Sequence, residues 1–176
     1  MIHITNTESN YIRKDLISGV VIAATYAALV WVLQPISFGP IQVRVADMLS
    51  PLPYVMGFES VIGLTLGTFI ANTLSPYGLM DMLIGTSCTF TYALINYLFG
   101  KLVGYRRAVL PIVAIMDSAI VGIFIGILLL SVVFGEGDPL FLFAIVFVGN
   151  LAATMPGALI IVPVIRKFYV KFKGLT

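Results

Sequence analysis

Few residues in this sequence can do chemistry, and each stands inside or beside a long apolar stretch. Gln42, Arg44 and Asp47 share one short segment, Gln42-Val43-Arg44-Val45-Ala46-Asp47. On a helix, Arg44 and Asp47 fall at i, i+3 on one face, where a base and a carboxylate pair. Asp81 follows a Pro-Gly turn and opens an apolar stretch. A carboxylate in a first helical turn also meets the positive end of the helix dipole. Asn72 closes the preceding stretch and is close to Asp81 in sequence. Asp117 and Asn150 lie about nine or ten residues into their own stretches, roughly 13 Å deep at the helical rise. A carboxylate and an amide at that depth can hydrogen-bond each other. Asn96 and Glu59 read as packing or interface residues.

The chemistry on offer is recognition. A charge near the middle of a bilayer costs about 2.5–3.5 kcal/mol on insertion scales, so such a residue faces a cavity or a partner. Gln42, Arg44 and Asp47 can line or cover a pocket, and Asn72, Asp81, Asp117 and Asn150 can present donors and acceptors to a polar ligand. The plainer alternative is that these side chains only hold helices together, and the two roles are compatible. Bond-making chemistry finds no support. The lone His3 sits in a polar N-terminal segment, and the lone Cys88 lies in an apolar stretch as a small packing residue. A multi-cysteine metal site, an intrachain disulfide and a Ser-His-Asp set are therefore all excluded. No Gly-x-x-x-x-Gly-Lys-Ser/Thr loop is present, so ATP hydrolysis would have to come from other subunits.

The elements that position these residues follow from composition. The chain is 60% hydrophobic and 10% charged, against about a quarter charged in ordinary soluble domains. Since about 20 apolar residues span a bilayer, its 176 residues suit one all-α transmembrane bundle of six helices. The expected spans are about 14–33, 43–56, 59–74, 79–102, 109–134 and 140–165. The second carries Arg44, Asp47, Pro51 and Pro53 and is at best broken or tilted. The first ten residues lack a basic start and an apolar core, so Leu16 to Leu33 reads as a retained helix rather than a signal peptide.

Nine bases (Arg13, Lys14, Lys101, Arg106, Arg107, Arg166, Lys167, Lys171 and Lys173) fall on one side of six crossings, and Arg44 alone on the other. The excess of Lys and Arg predicts cytoplasmic N and C termini and a multi-pass protein of the cell membrane. The bases flank apolar stretches rather than forming a patch, which argues against nucleic acid. On the first helix, Ala23, Ala24, Ala27 and Ala28 form two overlapping small-xxx-small pairs, which let another helix approach closely. Either an internal helix crossing or a docking face for a partner protein fits that spacing.

Three segments together resemble a known family. They are Ser37-Phe38-Gly39-Pro40-Ile41-Gln42-Val43-Arg44-Val45-Ala46-Asp47-Met48-Leu49 with Leu52-Pro53, then Gly63-Leu64-Thr65-Leu66-Gly67 with Ala71-Asn72, then Ser75-Pro76-Tyr77-Gly78 with Asp81 and Gly85. They resemble the QueT family of queuosine-precursor transporters, most densely over residues 37–87 and more weakly after about residue 110. Asp47 departs from a more usual glutamate and keeps the carboxylate on a shorter arm.

The resemblance implies a substrate-binding S component of an energy-coupling-factor transporter. Such a protein takes a 7-deazaguanine, such as 7-aminomethyl-7-deazaguanine, from outside. It implies a transmembrane coupling subunit contacted through Ala23, Ala24, Ala27 and Ala28, and two cytoplasmic ATPases that use the ATP. The chain itself then needs no cofactor, and the loop after the first helix covers the substrate. A guanine-type edge offers adjacent N–H donors to a carboxylate. Amides such as Asn72 or Asn150 can read its carbonyl, and Trp31, Phe38, Tyr54 or Tyr77 can stack on its ring. A stand-alone carrier or channel working as a homo-oligomer is the main alternative. A small membrane enzyme is a weaker one, lacking a catalytic set.

Overall fold

Apolar runs bounded by glycine and proline become helices here. The computed structural model describes residues 6–37 and 43–174. Beside a single turn at Gln34–Ser37 it contains α1 (Asn6–Val32), α2 (Phe58–Ala71), α3 (Gly78–Val103), α4 (Leu110–Val121), α5 (Pro139–Pro156) and α6 (Val162–Lys173). No strand occurs among the described residues. From Gly122 to Val133, α4 continues in wider π-type winding, as does the Gly157–Ile161 junction that makes α5 and α6 one rod. Among the described residues, four helices are long and apolar enough to cross a membrane: Ser9–Val32, Gly78–Val103, Arg107–Val133 and Pro139–Lys173; Phe58–Leu74 is a shorter apolar one.

Local chemistry sets the ends. Asp138 caps α5 by accepting from the Phe141 N–H at 2.9 Å, with Pro139 as the first helical residue. Gly104, at φ +68°, ends α3 in a conformation that other residues resist.

The expected helix over 43–56 does not form. Two short 3-10 turns, Val45–Leu49 and Leu52–Tyr54, take its place. Pro51 and Pro53 lack the N–H groups a continuous helix needs and clash with its preceding turn. This thread nevertheless runs the length of the bundle. Its start is held by Asp81 at the beginning of α3, and Tyr54 donates to the Gly104 carbonyl just past the end of α3. Irregular backbone at membrane depth is tolerated only where protein surrounds it, and Ala46, Leu49, Leu52 and Tyr54 are buried. Its own 3-10 bonds, such as Asp47 N–H to Arg44 O at 2.9 Å and Val55 N–H to Leu52 O at 2.9 Å, satisfy much of its backbone.

Two glycines make room for the thread. A Cβ on Gly100 of α3 would run into the Tyr54 backbone, and one on Gly157 would run into the Met48 backbone. On the other side, α1 and α2 pack in parallel. Gly63 lies against Gly19, where an added Cβ would stand 2.6 Å from its carbonyl oxygen, and Gly67 lies against Ala23 at 2.9 Å. The small residues of α1 therefore serve an internal crossing at Gly19 and Ala23. Because the thread returns the chain, α1 and α2 can point the same way. Antiparallel contacts then follow: Thr68 to Thr89, Asn96 to Asp117, and Ser118 to Asn150. The N-terminal part of α1 and the end of α6 lie at one end of the bundle, where Lys173 forms ion pairs with Asp15 and Glu59. Large apolar side chains such as Leu16, Val32, Leu102 and Leu140 face outward and the polar ones inward. That inversion suits lipid.

Candidate functional site

The buried polar residues form one ladder down the bundle, with the thread as its spine. At the upper rung, Arg44 precedes the first 3-10 turn in extended backbone and reaches across to α3. Its guanidinium lies 3.2 Å from Asp81 Oδ2, and both side chains are buried. Ser75 Oγ donates to the same carboxylate oxygen at 2.6 Å, and Asn72 Nδ2 donates to the Asp81 backbone carbonyl at 3.0 Å. The pairing expected between Arg44 and Asp47 along a helical turn gives way to this cross-bundle pair, because no helix forms there.

Asp47 makes the middle rung. Tyr26 of α1 donates to its Oδ1 at 2.6 Å, and Asn150 of α5 donates to its Oδ2 at 2.7 Å. Ser118 of α4 in turn donates to Asn150 Oδ1 at 3.0 Å, with Thr154 3.1 Å away. Two helices and the thread thus meet on one carboxylate, and α4 joins them through Asn150. The lower rung is separate. Asp117 accepts from Ser50 Oγ at 2.8 Å and from Asn96 Nδ2 at 2.7 Å. The expected Asp117–Asn150 bond is therefore replaced by two others, each made to the thread or a residue bonded to it. Asn96 belongs to the ladder rather than to simple packing.

A small cavity sits between the upper and middle rungs, lined by Tyr26, Arg44, Asp47, Thr89 and Tyr92 with apolar residues of α4 and α5 beneath. It offers about 20 Å³ to the centres of water-sized molecules, room for about one water. Gly85 forms part of its wall, where an added Cβ would lie 2.5 Å from Asn72 Nδ2 and 2.9 Å from Asp81 Oδ1. Tyr92 Oη in the lining, and Asp81 Oδ1 and Asn72 Oδ1 behind Gly85, are buried without a hydrogen-bond partner among the described residues. Buried polar atoms are nearly always bonded, so three beside one cavity mark a place arranged for something else.

Of the residues singled out in the sequence, Arg44, Asp47, Asn72, Asp81 and Asn150 converge on this cavity or on its lining. Asp117 stands one rung away, and Gln42 lies outside the described residues, as does Phe38. Tyr26, Tyr92, Ser75 and Ser118 were not foreseen. A signal existed for Tyr26 and Tyr92: a tyrosine deep in an apolar span must find a partner for its hydroxyl. The foreseen aromatic stackers do not gather here. Trp31 donates to the Ala71 carbonyl at 3.3 Å, Tyr77 packs on Phe134, and Tyr54 anchors the opposite end. Of the four alanines, Ala23 and Ala27 are buried, while Ala24 and Ala28 are exposed.

Residues 16–167 match the model of the family described as QueT transporter. The chain belongs to the QueT transporter family. The match spans the whole ladder, from Tyr26 to Thr154, and membership makes the chain a multi-pass membrane protein with a role in transport rather than in catalysis. No curated protein and no solved structure matches it. In a QueT transporter the cavity between Arg44–Asp81 and Asp47 joins buried charge to unmet hydrogen-bonding groups.

Proposed function

We propose that this QueT transporter is the substrate-binding membrane subunit of an ATP-driven importer of the energy-coupling-factor type, and that it takes up a 7-deazaguanine precursor of queuosine, such as 7-aminomethyl-7-deazaguanine. The observation that carries the reading is the cavity lined by Arg44 and Asp47, with unpartnered Asp81 Oδ1 and Asn72 Oδ1 buried behind its Gly85 wall. Carboxylates accept the adjacent N–H donors of a guanine-type edge, a guanidinium donates to its carbonyl, and an amide discriminates between neighbours. Two buried carboxylates, Asp47 and Asp81, lie about the one guanidinium of Arg44, so an aminomethyl cation also finds compensation. Tyr26 and Tyr92 supply flat walls. The cavity is far below the roughly 300 Å³ of a typical small-molecule site, so entry requires the Arg44 end of the thread to move outward.

In this reading both termini and their nine bases lie in the cytoplasm, and the Arg44 end opens to the outside of the cell membrane. A transmembrane coupling subunit and two cytoplasmic ATPases supply the energy; the chain itself holds no cofactor. Calorimetry on the purified, folded protein tests the substrate. Tight binding of 7-aminomethyl-7-deazaguanine, with weaker binding of guanine and none of riboflavin, is expected. Silence toward all 7-deazaguanines would remove the substrate class. Uptake that persists undiminished without the coupling and ATPase subunits would instead favour a stand-alone carrier.

A further inference from the structure

We infer that the end of the bundle holding both termini carries a site for one anionic glycerophospholipid, its headgroup in a basic aromatic cavity and an acyl chain in the adjoining groove. The cavity, about 520 Å³, lies between the corner after the thread, the end of α3 and the start of α6. Lys101 and Arg166 stand in its wall, each fixed over an aromatic ring. Lys101 Nζ is 4.7 Å from the centre of Tyr97, and the Arg166 guanidinium is 4.0 Å from that of Tyr105. Neither forms an ion pair among the described residues. Among the described residues, the carboxylates of this end are already engaged: Glu59 accepts from Tyr169 at 2.5 Å and pairs with Lys173 at 3.4 Å, and Asp15 pairs with Lys173.

Two positioned cations without a counter-ion, at the edge of an apolar bundle, call for an anion. A planar guanidinium suits a phosphate, which it can hold through two parallel N–H bonds. The shape of the neighbouring surface selects among anions. Met56 and Tyr169 line this cavity and also a second one of about 440 Å³ between α1 and α6. The second is a groove walled by Ile17, Val21, Leu52, Ile165 and Phe168. A soluble phosphate would use the first cavity only. A lipid uses both, with its charge at the interface and its chain against apolar side chains. Basic pockets between helices at a membrane face are where anionic lipids settle. The site rests on neither the substrate nor the importer reading.

The test is thermal unfolding and native mass spectrometry of the purified chain in mild detergent, with phosphatidylglycerol, phosphatidylcholine or inorganic phosphate added. Phosphatidylglycerol is expected to raise the melting temperature and remain bound as one copy, with the other two doing neither. Lys101→Gln with Arg166→Gln should weaken its binding about tenfold or more, while Arg13→Gln with Lys171→Gln, the same charge change elsewhere at that end, should leave it intact. Val21→Trp, on an exposed groove wall, should weaken it without altering charge, which guards against a double variant that merely folds poorly. Equal stabilisation by phosphatidylcholine, equal stabilisation by inorganic phosphate, or equal loss in the control pair would each overturn the site. So would one result from the assembled importer: phosphatidylglycerol excluded because an acidic partner segment holds Lys101 and Arg166.

Discussion

At the scale of residues, the interior is governed by the cost of leaving a charge alone. Removing one member of a buried ion pair strands the other and typically costs about 3–5 kcal/mol. Arg44→Gln and Asp81→Asn should therefore each lower the melting temperature markedly. The double variant should recover part of the loss, with a coupling of roughly 0.5–3 kcal/mol between the sites. Strict additivity would mean that the 3.2 Å contact carries no energy. Tyr26→Phe is milder. It removes one hydrogen bond to a carboxylate at a site that keeps its Asn150 partner, and should cost about 1.5–3 kcal/mol. If the cavity is the substrate site, the same change weakens 7-deazaguanine binding; unchanged affinity would place the ligand elsewhere. The residue types of this site were legible in the sequence, because a charge in an apolar run announces itself. Their partners were not. Arg44 and Asp81 are 37 positions apart and Asp47 and Asn150 are 103 apart, and no spacing rule reaches that far.

At the scale of elements, the thread is the feature that local sequence rules half-captured. Pro51 and Pro53 forbade a clean helix, and 3-10 turns buried among helices take its place along the bundle. What positions the thread is glycine on its neighbours, Gly100 of α3 and Gly157 at the α5–α6 junction. Gly157→Val and Gly100→Val should destabilise by about 1–3 kcal/mol or more through forced displacement of the Met48 or Tyr54 backbone. Gly104→Ala meets open space and faces only its left-handed backbone, which costs about 1–2 kcal/mol. Unfolding by denaturing detergent would order the three. A Gly104 variant as damaged as the Gly157 one would mean that backbone strain, not the tight approach to the thread, dominates. The same reasoning divides the alanines of α1. Ala23→Leu or Ala27→Leu overpacks the core and should lower stability and ligand binding together. Ala24→Leu or Ala28→Leu, on the exposed side, should spare both and, if the chain works with a coupling subunit as proposed, reduce only recovery of that subunit in pull-downs. Loss of folding in the exposed pair would remove the docking role.

At the scale of the whole molecule, charge and topology meet. The thread makes α1 and α2 parallel, so the N-terminal part of α1 and the end of α6 share one end of the bundle, where Lys173 ties α6 to Asp15 of α1 and Glu59 of α2. Nine of the ten bases lie in segments that reach this end, and Arg44 is buried against Asp81 at the other. A base surplus of this kind holds an end in the cytoplasm during insertion. Reporters fused to the N and C termini should both be active in the cytoplasm, and one inserted at Gly135–Gly137, in the turn between the π-wound end of α4 and α5, should be active only outside. Replacing Lys101, Arg106 and Arg107 together by Gln removes the middle of the positive charge and should leave orientation unchanged, because both ends still carry bases. It should, however, reduce the yield of inserted protein, read by membrane fractionation. Opposite locations for the two terminal reporters would mean an odd number of crossings. The thread would then have to leave the interior, breaking the Asp47 and Asp117 rungs that hold it there.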